Sequence, residues 1–163
     1  MHIRNRLNTG FTLIEMLLVM AISLILLSVS TISLTNVQQY SYLSKSLELL
    51  LSDIKLQQAK AMNGVTENGI QVKYGIYFGE SSYTLFQGDT YDPDAPTNFT
   101  VNLDGQLTFA STEFAGDQIV FERGSGEISG FVDGQDTITI ANPGSPDDTV
   151  IQLNSYGVFT QIN

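Results

Sequence analysis

The sequence predicts an α+β fold, in which a long N-terminal helix, about residues 11–62, packs by its C-terminal half on an antiparallel β-sheet domain. Three observations carry this. An apolar run that starts near Phe11 passes into a second periodic segment after Tyr40 with no Gly or Pro to interrupt it. Asn63-Gly64 then supplies a helix stop signal. Beyond Gly64 the pattern changes to short β-type runs separated by Gly, Asp, Asn and Pro. A leucine stripe and a two-period sheet face each need a cover, and one covers the other. The 163 residues suit one domain with an accessory segment, divided as a basic leader (1–10), an apolar helix (11–35), an amphipathic continuation (36–63) and an acidic β-rich domain (64–163).

The leader, MHIRNRLNTG, carries Arg4 and Arg6, and no charged residue lies between Met16 and Ser44. The unbroken apolar core from Met16 to Leu27 has 12 residues with a single Ser, and Phe11 to Thr35 has 25, or roughly 37 Å of helix at 1.5 Å per residue. That length crosses a bilayer, and the flanking arginines place the leader in the cytoplasm by the positive-inside rule. Three readings compete: a secretory signal peptide ending near Ser28-Val29-Ser30, an uncleaved anchor for an extracytoplasmic domain, and a processed helix. Glu15 separates them. A carboxylate at the start of an apolar run costs on the order of a few kcal/mol in hydrocarbon, and neither a signal peptide nor a plain anchor gains from it.

Within the second segment, Leu43, Leu47, Leu50, Leu51, Ile54 and Leu56 recur mostly at spacings of three and four, the mark of an amphipathic helix. Lys45, Glu48, Asp53, Lys55, Gln57, Gln58 and Lys60 form its expected wet face. The join, Ser28 to Asn36, is rich in Ser, Thr and β-branched residues, whose hydroxyls can bond back to helix carbonyls.

Eight or nine strands are expected, from the runs Ile70–Phe78, Tyr83–Gln87, Phe99–Leu103, Leu107–Ala110, Gln118–Glu122, Glu127–Phe131, Thr137–Ala141, Thr149–Leu153 and Val158–Ile162. Asp104-Gly105 reads as the turn of a hairpin joining Phe99–Leu103 to Leu107–Ala110, and Gly124-Ser125-Gly126 as a second turn.

Composition narrows the chemistry. The chain has no Cys and one His, His2, so triads, Cys/His dyads and imidazole metal sites have no place in the main body. Met62 onward carries fourteen acids against two bases, Lys73 and Arg123, a balance of −12. That argues against nucleic acid as a partner, since phosphate affinity rests on clustered Lys and Arg. No enzymatic activity is expected. Asp89, Asp92 and Asp94 fall within six residues and form a weak Ca²⁺ candidate, although the spacing is not that of an EF-hand loop and Asp is a common turn residue. No other cofactor is expected. Asn98-Phe99-Thr100 matches a glycosylation sequon by composition.

The junction Gly10-Phe11-Thr12-Leu13-Ile14-Glu15, followed by an apolar helix, resembles the processing site of type IV prepilins and type II secretion pseudopilins. The resemblance covers Gly10 to about Thr35 and implies the pilin fold. It also implies cleavage between Gly10 and Phe11 by a membrane peptidase that then methylates the Phe11 amine. Methylation preserves the charge of that amine, so Glu15 of one subunit would pair with Phe11 of a neighbour and set axial register during assembly. The mature chain would have 153 residues, five bases, seventeen acids and no histidine. The implied function is a structural subunit of a type IV pilus or secretion-like filament. Its implied partners are other pilin or pseudopilin subunits, the prepilin peptidase/methyltransferase, assembly-platform membrane proteins and membrane lipid. The implied location is the cytoplasmic membrane as a single span with a cytoplasmic N-terminus, then a periplasmic or extracellular filament. Tyr74–Phe78, Ser82–Phe86 and Ile119–Phe121 resemble segments of H-type minor pseudopilins and FimT-like minor pilins, and the helix lacks the breaking Pro of many major pilins; both features lean toward a minor subunit. The alternative is a single-span, membrane-anchored extracytoplasmic binding module.

Overall fold

The structure, a computed structural model, describes residues 10–64, 66–67, 70–143, 145 and 147–162; the side chains of 29–40, 66–67, 70 and 161–162 are outside that description. The expectations placed on His2, Arg4 and Arg6, and on the side chains of Val29 to Asn36, therefore lie outside the described residues. The fold is α+β. Helix α1 spans Leu13–Met62, and the chain divides into two compact units, 1–38 and 39–163.

In the first unit, α1 starts directly after Thr12 and its described side chains are exposed from Leu13 to Ser28. Ser28 Oγ donates to the Ile25 carbonyl at 2.7 Å, the back-bonding expected of the hydroxyl-rich join.

The second unit holds the end of α1 and, among the described residues, ten strands. They are β1 (Thr66–Glu67), β2 (Ile70–Gln71), β3 (Tyr74–Phe78), β4 (Ser82–Gln87), β5 (Phe99–Asn102), β6 (Thr108–Thr112), β7 (Gln118–Phe121), β8 (Thr137–Ala141), β9 (Thr149–Leu153) and β10 (Phe159–Ile162). All pairings are antiparallel. One four-stranded sheet has the order β5-β4-β3-β7, a second has the order β10-β9-β8-β6, and β1-β2 form a small ribbon.

Leu50, Ile54 and Ala61 of α1 share one buried cluster with Tyr74, Ile76, Phe78 and Tyr83 of the first sheet and Ile138, Ile140, Ile151 and Leu153 of the second. In β8 the alternation is regular, with Ile138 and Ile140 inward and Thr137 and Thr139 toward the surface. The outer face of the first sheet is covered as well. Tyr91, in the connection after β4, stacks on Tyr77 at 4.1 Å between ring centroids and meets Phe86 edge-on, which accounts for the nearly continuous burial of β4.

Four expectations are corrected. Asp104-Gly105 does not join a paired hairpin, because β5 pairs with β4 while β6 pairs with β8 in the other sheet. The turn instead carries the chain across the core between buried Leu103 and Leu107, pinned by a Lys45–Asp104 ion pair of 2.7 Å and by the Asp104 N–H donating to Ser46 Oγ. Glu127–Phe131 is not a strand. It makes a single bridge, Phe121↔Ile128, because Gly126 and Gly130 both take positive φ and the Ile128 N–H is diverted to the Ser155 carbonyl. Ile70–Phe78 is broken into β2 and β3 at Val72-Lys73. On α1, Gln57 belongs to the buried face and Leu56 to the exposed one, the reverse of the pattern read from hydropathy. The helix stop holds: Asn63 N–H still donates to the Ala59 carbonyl, and Gly64 takes φ 62°, the left-handed cap.

Candidate functional site

The predicted site lies at the start of α1. Gly10 is exposed, and a Cβ built on it would meet nothing within 4 Å. Its backbone is outside the left-handed region. The chain's own packing therefore makes no demand for glycine here. Phe11 is 82 % exposed.

Thr12 and Glu15 form a reciprocal cap on the first turn. The Glu15 N–H donates to Thr12 Oγ1 at 3.3 Å, while the Thr12 N–H and hydroxyl both donate to Glu15 Oε2 at 3.1 Å. The Met16 N–H closes the first helical bond onto the Thr12 carbonyl at 3.2 Å. This is a capping box, Thr-x-x-Glu, satisfying orphan donors at the helix N-terminus, with the carboxylate placed at the positive end of the helix dipole. The structure thus brings Glu15 to Thr12, a pairing whose signal in the sequence is the Thr-x-x-Glu spacing ahead of an apolar run.

Behind the cap, every large apolar side chain described from Leu13 to Leu27 is exposed, and none falls below the 50 % of Ile22. Apolar residues ring the helix rather than forming a stripe, which is the pattern of a helix that is buried on all sides where it functions. Each such side chain gains about 1.5–3 kcal/mol on burial, far more in sum than the cap contributes. Among the described residues, no helix is long and apolar enough to cross a membrane.

The acidic-loop candidates do not converge. Asp89 pairs with Lys73 at 3.2 Å, Asp92 Oδ1 accepts the Asp94 N–H at 3.0 Å in a local turn, and among the described residues no three His, Cys, Asp or Glu side chains gather as a metal site. Lys73 is also held by Glu122 at 2.7 Å and lies 3.4 Å from Ser129 Oγ. The hydrogen bond from Lys73 holds the Glu122 carboxyl below its ordinary range, and the same bond raises the Lys73 ammonium. Burial, and then its hydrogen bond to Asp53, pushes the Tyr83 phenol far above its usual range. These contacts tie Lys73, between β2 and β3, to Glu122 at the end of β7, and Tyr83 of β4 to Asp53 of α1. Asn98 of the sequon donates from Nδ2 to the Asp92 carbonyl at 2.7 Å.

The model of the prokaryotic N-terminal methylation motif matches residues 5–31. Neither a curated protein nor a solved structure matches the chain. The matched segment is the type IV prepilin and pseudopilin signature, and it contains the open glycine, the capping box and the exposed apolar helix. It supports a type IV pilin- or pseudopilin-like subunit, and implies processing by a prepilin peptidase and assembly with other pilin subunits.

Proposed function

We propose that the chain is a filament subunit of the type IV pilus and type II secretion class, minor rather than major. In this reading the peptidase cuts between Gly10 and Phe11, removes leader 1–10 and methylates the Phe11 amine. Segment 11–35 then holds the protein in the cytoplasmic membrane, N-terminus in the cytoplasm, and later forms the filament core. Segment 36–63 carries the helix into the acidic domain 64–163, which faces solvent or a partner in the periplasm or outside the cell. Glu15 pairs with the Phe11 amine of a neighbour and sets axial register, assisted by assembly-platform membrane proteins. No cofactor enters the scheme.

The observation that carries this reading is an apolar helix exposed on all sides, lying directly behind a glycine that the fold itself does not require. Packing leaves Gly10 accessible, and the methylation motif that spans it is what supports its reading as the cleavage site. Intact-mass analysis and N-terminal sequencing of the protein from its native host test the proposal. The expected terminus is N-methylated Phe11; a terminus at Met1, or at Thr31 as a signal peptidase would leave it, overturns it.

A further inference from the structure

The part of α1 that carries the domain has two faces. Leu50, Ile54, Gln57 and Ala61 are buried against the sheets. Beside them Tyr42, Leu49 and Leu56, spaced by seven, stay 38 %, 44 % and 46 % exposed. Lys45, Ser52 and Ala59, each three residues further on, are exposed as well. Large apolar side chains in the first set and the small Ser52 and Ala59 in the second fall on the a and d positions of a heptad, so the helix presents a seam for another helix.

Charges flank this seam in a definite order. Glu48 and Lys55 lie on one side of it, Asp53 and Lys60 on the other, so acids precede bases on both. Asp53 accepts the Tyr83 hydroxyl at 2.6 Å, and Lys55 and Lys60 lie over the rings of Phe159 and Tyr74 at 5.9 and 5.7 Å. Among the described residues, none of these four forms an ion pair within the chain. When two parallel helices share such a seam, a flanking residue on one helix meets the opposite flank of the other about five residues further on. In register, two copies would therefore set Glu48 against Asp53, Lys55 against Lys60 and Lys45 against Lys45, all like charges. Displacing one copy by a heptad reverses this. Glu48 then meets Lys60, Asp53 meets Lys55, and Lys45 meets Ser52, while the apolar layers become Tyr42 with Leu49 and Leu49 with Leu56.

We propose that a second copy of this chain docks along residues 42–60 of α1, parallel and displaced by seven residues, or about 10.5 Å of helix. Glu48 and Asp53 of one copy pair with Lys60 and Lys55 of the other. The parallel orientation rests on the filament reading above, which puts the N-termini of all copies on one side of the membrane. Charge then sets the stagger, because facing like charges suppress the unshifted pair and a shift of two heptads leaves one apolar layer and no charge pair. The occupant is a copy of the chain because one sequence carries both halves of the complementary set.

The chain has no Cys, so introduced thiols report only the chosen contact. Chains bearing Ser52→Cys or Ala59→Cys, with tags of different mass, are co-expressed in the native host and oxidised in the membrane. The stagger sets position 52 of one copy against 59 of the other, within reach of a disulfide, and sets neither against itself. The mixed 52–59 dimer is therefore the expected major product. Adding Lys60→Glu to the Ala59→Cys chain should lower it roughly threefold, and adding Glu48→Lys to the Ser52→Cys chain should then restore it. A predominance of 52–52 dimers, no cross-link at all, or a mixed dimer indifferent to the charge changes would overturn the proposal. The terminus of the same protein, read by mass, keeps the two readings apart. Methylated Phe11 without the mixed dimer rejects the stagger alone, whereas a terminus at Met1 or Thr31 rejects the filament reading from which the orientation is taken.

Discussion

Thr12 and Glu15 exchange hydrogen bonds across the first turn of α1, the Glu15 N–H donating to Thr12 Oγ1 and the Thr12 N–H to Glu15 Oε2. Glu15 therefore has a partner within its own chain, and its proposed pairing with a neighbour's amine is a second use of the same carboxylate. The two uses come apart by substitution. Glu15→Gln keeps an amide oxygen for the cap and removes the charge, whereas Thr12→Val removes the hydroxyl and keeps the charge. If charge sets register, Glu15→Gln lowers incorporation into filaments while cleavage at Gly10 proceeds. Thr12→Val weakens the helix start by about 0.5–2 kcal/mol, seen as faster hydrogen exchange in the first turn. Normal incorporation of Glu15→Gln would sink the register argument.

The face of α1 that holds the sheets is testable by a pair of truncations. Ile54 is fully buried in the common core and Leu56 is nearly half exposed. Ile54→Ala is expected to cost about 2–5 kcal/mol and Leu56→Ala less than about 1 kcal/mol, read from denaturant midpoints of the full chain. Equal losses would place Leu56 in the core.

Gly126 and Gly124 both adopt left-handed backbone, φ 70° and 79°, but differ in surroundings. A Cβ on Gly126 would collide with Met62 Cγ, whereas one on Gly124 meets nothing within 4 Å. Both alanine variants pay the backbone cost of about 1–2 kcal/mol. Gly126→Ala should melt lower than Gly124→Ala, and adding Met62→Ala should narrow the gap. Identical melting temperatures would show that the turn does not dock on the helix end.

The Lys73 cluster predicts a pH response with a definite sign. Glu122 is held below its ordinary 4.5, so its contribution is present above that value and is lost as pH falls through the lowered one. Lys73 is raised above 10.5, so its contribution is full below that value and is lost as pH rises through the raised one. The Glu122 and Asp89 side chains are 38 % and 79 % exposed, and solvent screening limits each pair to about 0.2–1 kcal/mol. Glu122→Gln should therefore lower stability at pH 7 and flatten its fall below pH 4.5. An unchanged acid limb in the variant would remove Glu122 from the account.

The sequence by itself determined the parts that depend on short-range chemistry. The helix and its stop are written in periodicity and in Asn63-Gly64, most strands in alternation and turn residues, and the processing junction in six consecutive residues ahead of an apolar run. The capping box, too, is written in the sequence as Thr-x-x-Glu. Only the tertiary structure decided what depends on which distant segments meet. Asp104-Gly105 has the chemistry of a hairpin turn, yet β5 and β6 part into different sheets, because pairing is chosen by the β4 and β8 surfaces and by the clamp of Lys45 and Ser46. Gln57 is polar and reads as wet, yet it is buried, because the carbonyls of Gly75 and Phe86 lie within reach of its amide. The end of β5 opposite Leu85, two residues short of the end of β4, arises from register between separate strands, a quantity local patterning does not contain.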